Sequence, residues 1–222
     1  MKVELIRATD NAASLCGEAA AACTASKDPA GALRHAAGSG HTSVLEHAVF
    51  TFRVSGISRA CLAQLTRHRL ASFSVQSQRH AGIRETDMVM PDSIRASGFR
   101  ADAEYLMRDV MWLYGEMVRA GIPKEDARYI TPQASPTGLI MTMNARELLH
   151  FFSLRCCNRA QWEIRELADR MLRLCREHAP GLFDDAGPGC VRGHCPEGRP
   201  CGHSRMKEEW DSHAVKERLD TR

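Results

Sequence analysis

The chain has 222 residues, 44% hydrophobic and 26% charged, with 30 lysines and arginines against 27 aspartates and glutamates for a formal net charge of +3. That is enough apolar material for one substantial core and too little cationic excess to hold nucleic acid over a whole surface, so any basic site has to be local. No apolar run approaches membrane-spanning length and the start, MKVELIRATD, is polar too early for an export signal, which leads us to expect a cytoplasmic protein with no membrane partner.

The opening KVELIRAT alternates as a short strand, DNAASLCGEAAAACTAS reads as a helix, and DPAGALRHAAGSGH as a second, shorter one ended by glycines. In HTSVLEHAVFTFRVSG, Ser43 with Glu46 three residues on resembles a capping box for a single turn, and the strand that follows puts Phe50, Phe52 and Val54 on one face. ISRACLAQLTRHR carries Ile57, Cys61, Leu62 and Leu65 at helical spacing, which sets Gln64, Arg67 and His68 together on the outward side. GFRADAEYLMRDVMWLYGEMVRAG is a long amphipathic helix stopped by Gly121, and IPKEDARYITP a short one with Arg128 in its last turn. NARELLHFFSLR has Asn144 as cap with Glu147 three positions on, and AQWEIRELADRMLRLCREH packs Ile164, Leu167, Met171 and Cys175 on one stripe. Few strands among many helices predict a single α+β domain, a small antiparallel sheet packed against a layer of helices.

The residues that ask for chemistry are RHRLASFSVQSQRHAGIR, 67–84, which gather four arginines and two histidines with no carboxylate among them. Arginine's planar fork matches phosphate oxygens, and the spacing lets a helix end and a following loop address one anion. Phosphate cradles of the GxGxxG and GxxxxGK[ST] kinds are missing, as are GxSxG, HExxH and CxxC. A nucleic-acid- or nucleotide-binding module using the 67–84 loop is the alternative to an enzyme, but it lacks both a basic excess and the interleaved aromatics of single-strand binders.

RHRLASFSVQSQR fits the RHRx7SxR signature of the flavin-dependent thymidylate synthases, and the similarity continues through GHTSVLEHAVFTFRV, IPKEDARYITP, NARELLHFFSLR and NRAQWEI, over roughly residues 38 to 183. The resemblance implies an FAD-dependent reductive methylation of dUMP to dTMP, with methylenetetrahydrofolate as carbon donor, NADPH as reductant and no cysteine nucleophile. It assigns Ser43, Arg67, His68, Arg69, Asn144, Arg146 and His150 to the flavin, and Gln64, Arg67, Val75, Gln76, Ser77, Gln78, Arg79 and Arg128 to dUMP. Arg155 matches the arginine that binds the uracil and favours loss of its N3 proton, and His41 a histidine near flavin and folate. Val75 and His80 depart from the residues common in the family. It further implies a homotetramer with active sites shared between subunits; the charge balance leads us to expect no nucleic-acid partner. A helix turns about 100° per residue, which sets Arg155 about 180° from Arg146 and leaves His150 about 40° from it; we take this to mean that the two arginines serve different copies of the site.

We divide the chain into a catalytic domain over 1–183 and a Cys/Gly/Pro-rich, then charged, tail over 184–222. Cys16, Cys23, Cys61, Cys156, Cys157 and Cys175 read as small buried hydrophobes. No metal is expected at the active site; Cys190, Cys195, Cys201 and either His194 or His203 are a candidate zinc set, with a disulfide or plain thiols as alternatives. His35 and His47 read as surface histidines, Arg59 and Arg84 as solvated arginines, and Trp112, Trp162 and Trp210 as core residues.

Overall fold

Alternation of large apolar residues is what builds the centre of this protein, seen in a computed structural model described over residues 1–82 and 88–202. Strands β1 (Lys2–Ala8), β2 (Val49–Ser58), β3 (Ala71–Val75) and β4 (Pro136–Asn144) form one four-stranded antiparallel sheet in the order β1-β2-β4-β3. On β2, Phe50, Phe52 and Val54 are buried as expected, and on β4 Thr137, Leu139, Met141 and Met143 bury every second side chain. The helices are α1 (Ala12–Thr24), α2 (Pro29–Gly38), α3 (Arg59–Leu65), α4 (Asp92–Arg95), α5 (Arg100–Arg119), α6 (Lys124–Ala127), α7 (Ala145–Arg155) and α8 (Trp162–His178). The fold is therefore the expected α+β class.

Two compact units can be distinguished, with residues of all four strands in both. The first holds 1–2, 54–67 and 73–140; the second holds 3–53, 68–72 and 141–222. In the first unit, α3 starts where the Ser58 hydroxyl accepts from the Cys61 amide at 3.0 Å, and the amides of Arg59 and Ala60 reach the carbonyls of Ser135 and Gln133. A Cβ on Gly138 would sit 3.3 Å from the Val54 carbonyl oxygen, so the absence of a side chain there lets β4 lie close to β2. Gly121 ends the α5 region with φ of 90°, a left-handed geometry suited to glycine.

In the second unit α7 begins at Asn144, whose side-chain oxygen accepts from the Glu147 amide at 2.9 Å. Phe152 and Phe183 pack edge to face at 6.0 Å, and Phe50 meets Phe183 at 5.3 Å. Arg176 ties residues 183–186 down by donating to the carbonyls of Phe183, Asp184 and Ala186.

Four expectations change. Between the RHR and SQR ends of the basic stretch the chain is β3, a strand instead of a loop, because Ala71–Val75 continues the sheet beside β4. The segment PTGLIMTMN, given no element above, is β4. The Thr42–His47 turn is a 3-10 helix with no side-chain cap, its N-cap position falling on His41 and leaving Ser43 inside the turn. Trp112 is 59% exposed, on a face of α5 that also exposes Tyr105, Leu106 and Leu113.

Candidate active site

Within the first unit, Gln76, Ser77, Arg79 and Arg128, all expected at dUMP, gather between the end of β3 and α6, with Arg59 of α3 beside them. Gln76 is fixed by donating its amide to the Gly138 carbonyl at 2.9 Å, while its own carbonyl accepts from the Arg59 guanidinium at 3.0 Å. The Ser77 hydroxyl accepts from the Arg79 amide at 3.2 Å, and Arg79 Nε donates to Glu125 at 2.6 Å in an exposed pair. Arg128, half-buried at the end of α6, donates to the Glu125 carbonyl at 3.1 Å.

Arg59 is a residue that sequence reasoning missed. Set down as solvated, it is half-buried; burial, with the nearby positive charge of Arg128 second, lowers its pKa. Two guanidinium groups held near each other make a place for an anion. Gln78 adds an amide nitrogen that is buried with no hydrogen-bond partner among the described residues. Gln64 spends its amide on the Ala60 carbonyl one turn back, Arg67 is exposed at the end of α3, and Val75 closes β3.

The second unit holds the residues expected at the flavin other than Arg67, together with Arg155. His68 is not outward, as the helical spacing suggested, but 5% exposed, with its ring packed edge to face on Phe151 at 4.9 Å. Its Nδ1 lies 3.0 Å from Glu147 Oε1, and its Nε2 accepts from Arg155 Nε at 3.0 Å. A guanidinium can only donate. His68 is therefore neutral, with its proton on Nδ1 where the Glu147 carboxylate takes it. Burial is the main cause that lowers the His68 pKa, which agrees with a neutral ring.

Glu147 is the second residue missed. Read as half of a capping box, it sits beside Leu148, Phe151 and Phe152 on the buried side of α7, and its carboxylate serves His68. A carboxylate on an apolar stripe was the legible signal. His150 is exposed, its ring 5.9 Å from that of His68, and Arg146 pairs with Glu46 at 2.5 Å on the surface. His41, Ser43 and Arg69 are exposed, and Asn144 is the α7 cap.

Arg146 and Arg155, set apart on the helical wheel, take different partners, Glu46 and His68. The His68 ring that Arg155 reaches also borders His150.

Among the described residues, His68, Glu147 and His150 form the one group whose candidate ligand atoms lie within 4.8 Å of each other. It does not suit a cation, because both His68 nitrogens are engaged and one of them faces a guanidinium. Cys190, Cys195 and Cys201 are described; His203, Arg84 and Trp210 lie outside the described residues. Cys23 is exposed, and Cys157 lines a cavity with the tail cysteines, so neither is the buried hydrophobe expected. His35 and His47 are exposed as predicted.

The sequence signature of the Thy1 family, described as "thymidylate synthase complementing protein", matches residues 4–181. Curated relatives named flavin-dependent thymidylate synthase include that of Geobacter sulfurreducens, 54% identical over 73% of this chain and 72% of the relative. Those of Nitratidesulfovibrio vulgaris and Thermococcus onnurineus are 47% and 44% identical, over 77% and 80% of this chain and 74% and 78% of their own lengths.

Proposed function

The chain belongs to the flavin-dependent thymidylate synthase family, enzymes that make dTMP from dUMP, and we propose that it does so with FAD, methylenetetrahydrofolate as carbon donor and NADPH as reductant. The observation that carries this reading is the Glu147–His68–Arg155 chain, in which the buried Glu147 and His68 aim a permanent cation.

The donor set fits the cofactor. His41, Arg69, Arg146 and His150 offer exposed cationic or hydrogen-bonding groups of the kind a dinucleotide needs, with Ser43, Arg67 and the Asn144 end of α7 completing the assignment. When bound, FAD supplies the hydride relay that side chains cannot.

The chain's own residues do the rest. Glu147 holds the proton of His68 on Nδ1; the Nε2 lone pair then fixes Arg155 by its Nε. A guanidinium set against the N3 and O4 edge of uracil stabilises negative charge there and so directs electron density to C5, which removes the need for a cysteine nucleophile. Arg79, Arg128 and Arg59, with Ser77 and Gln78, grip the phosphate, while Gln64, Val75 and Gln76 border the nucleotide. Ser77 has a binding role, its hydroxyl held by the Arg79 amide. Residues 1–183 form the catalytic domain.

The active form is a homo-oligomer, a tetramer with sites shared between subunits. The support comes from α5, where the large apolar side chains Tyr105, Leu106 and Trp112 are 62%, 63% and 59% exposed.

The test is a difference spectrum. Protein isolated with its flavin should change its visible absorbance on addition of dUMP and oxidise NADPH only when dUMP and methylenetetrahydrofolate are both present. A colourless protein that takes up no FAD would overturn the reading.

A further inference from the structure

The family resemblance leaves the tail after residue 183 without a task. Over its described residues, 184–202, the tail nevertheless has a built structure. Gly187, Gly193 and Gly202 take φ values of 144°, 134° and 77°, which turn it back on itself, and a Cβ on Gly189 would fall 2.7 Å from the Pro196 ring. Residues 186–188 are buried. What this folding produces is a cavity of about 220 Å³ lined by four cysteines, Cys157, Cys190, Cys195 and Cys201, together with Arg159 and Glu197. All four belong to the second unit, and none is in a disulfide.

Three of these thiols come from the tail, and the fourth follows α7 directly, two residues beyond Arg155. Four thiols from two segments around one space are the complement of a closed tetrahedral zinc site. Arg159 on the same cavity wall offsets the negative charge that the sulfurs acquire as they lose their protons to the metal. The histidine candidates of the sequence reading are unnecessary, because Cys157 completes the set. The thiols line the cavity without closing to within 4.8 Å of one another. Binding would draw them in, with zinc–sulfur bonds of about 2.3 Å, through a glycine-rich segment that can contract.

We propose that Cys157, Cys190, Cys195 and Cys201 bind one zinc ion as a structural site that pins the tail to the end of α7. The ion takes four thiolates and releases their protons; it takes no part in the methylation. The inference is independent of the reading of the active site, because metal content and thiolate spectra are measured without substrate or turnover.

The full-length protein, expressed with added zinc and purified without chelator, should carry about one zinc per chain. Replacement by cobalt(II) should give the intense near-ultraviolet bands of thiolate ligation. Cys157→Ser and Cys195→Ser should each lose the metal, whereas Cys23→Ser, at an exposed cysteine elsewhere, should keep it. A strong chelator should lower the Tm of the parent protein. Wild-type protein without zinc and without cobalt–thiolate bands would overturn the proposal, even if the serine variants fail to fold. So would a disulfide among these four cysteines found by intact mass, or a metal that persists in both Cys157→Ser and Cys195→Ser.

Discussion

Two arginines illustrate how differently the two units hold positive charge. Arg155 is fixed through its Nε by a buried, neutral imidazole, itself fixed by a buried carboxylate. Arg79 is held through its Nε by Glu125 in a pair whose side chains are 58% and 45% exposed. A buried chain of hydrogen bonds sets a direction, since each member has few alternatives and an unpaired one would be costly. An exposed ion pair is worth only about 0–1 kcal/mol, so a phosphate can take the arginine over. The first arrangement suits orienting a reacting ring, the second capturing a mobile anion.

The contrast predicts effects of graded size. Arg155→Ala should lower kcat by about 10²- to 10³-fold, the usual loss when a preorganised donor is removed, with flavin content unchanged; parallel loss of flavin would mean the residue is structural instead. Glu147→Ala leaves the His68 Nδ1–H buried without its acceptor and should destabilise the fold by about 1–3 kcal/mol in denaturant melts. An unaltered midpoint would sever His68 from the chain described above.

Arg59→Ala should raise KM for dUMP about tenfold, a loss of about 1.4 kcal/mol, and leave kcat nearly untouched. A fall in kcat with KM unchanged would refute a phosphate role. The His68 pKa lies below its ordinary 6.5, first because burial disfavours the imidazolium and then because Arg155 is near, against the opposing pull of Glu147. The unfolded chain therefore takes up a proton in the window just below pH 6.5 that the folded chain refuses, and stability, full above this window, declines as pH falls through it. Tm measured against pH should slope less steeply there in His68→Asn than in the parent. Smallest of all, Glu125→Gln frees Arg79 from its competitor and should lower KM for dUMP by less than about fivefold; a rise would show that Glu125 helps to position the arginine.

Much of the architecture was legible because it rests on periodicity. The alternation of Phe50, Phe52 and Val54 and the stripe of Ile164, Leu167, Met171 and Cys175 became buried faces as read. β4 was legible too, and passed over: Thr137, Leu139, Met141 and Met143 alternate as cleanly as the strand that was recognised. Trp112 shows that hydrophobicity alone does not mean core, since it lies exposed on α5 with Tyr105, Leu106 and Leu113.

The sequence by itself determined which residue types are present and, through local spacing, most helices, the Asn144 cap and the motif that names the family. Pairings across 79 and 87 residues were beyond it: that Glu147 serves His68 instead of its own helix end, and that His68 turns inward to receive Arg155. Propensity and period act over a few residues, whereas the partner of a buried polar group is chosen by whichever distant segment the fold delivers within hydrogen-bond reach.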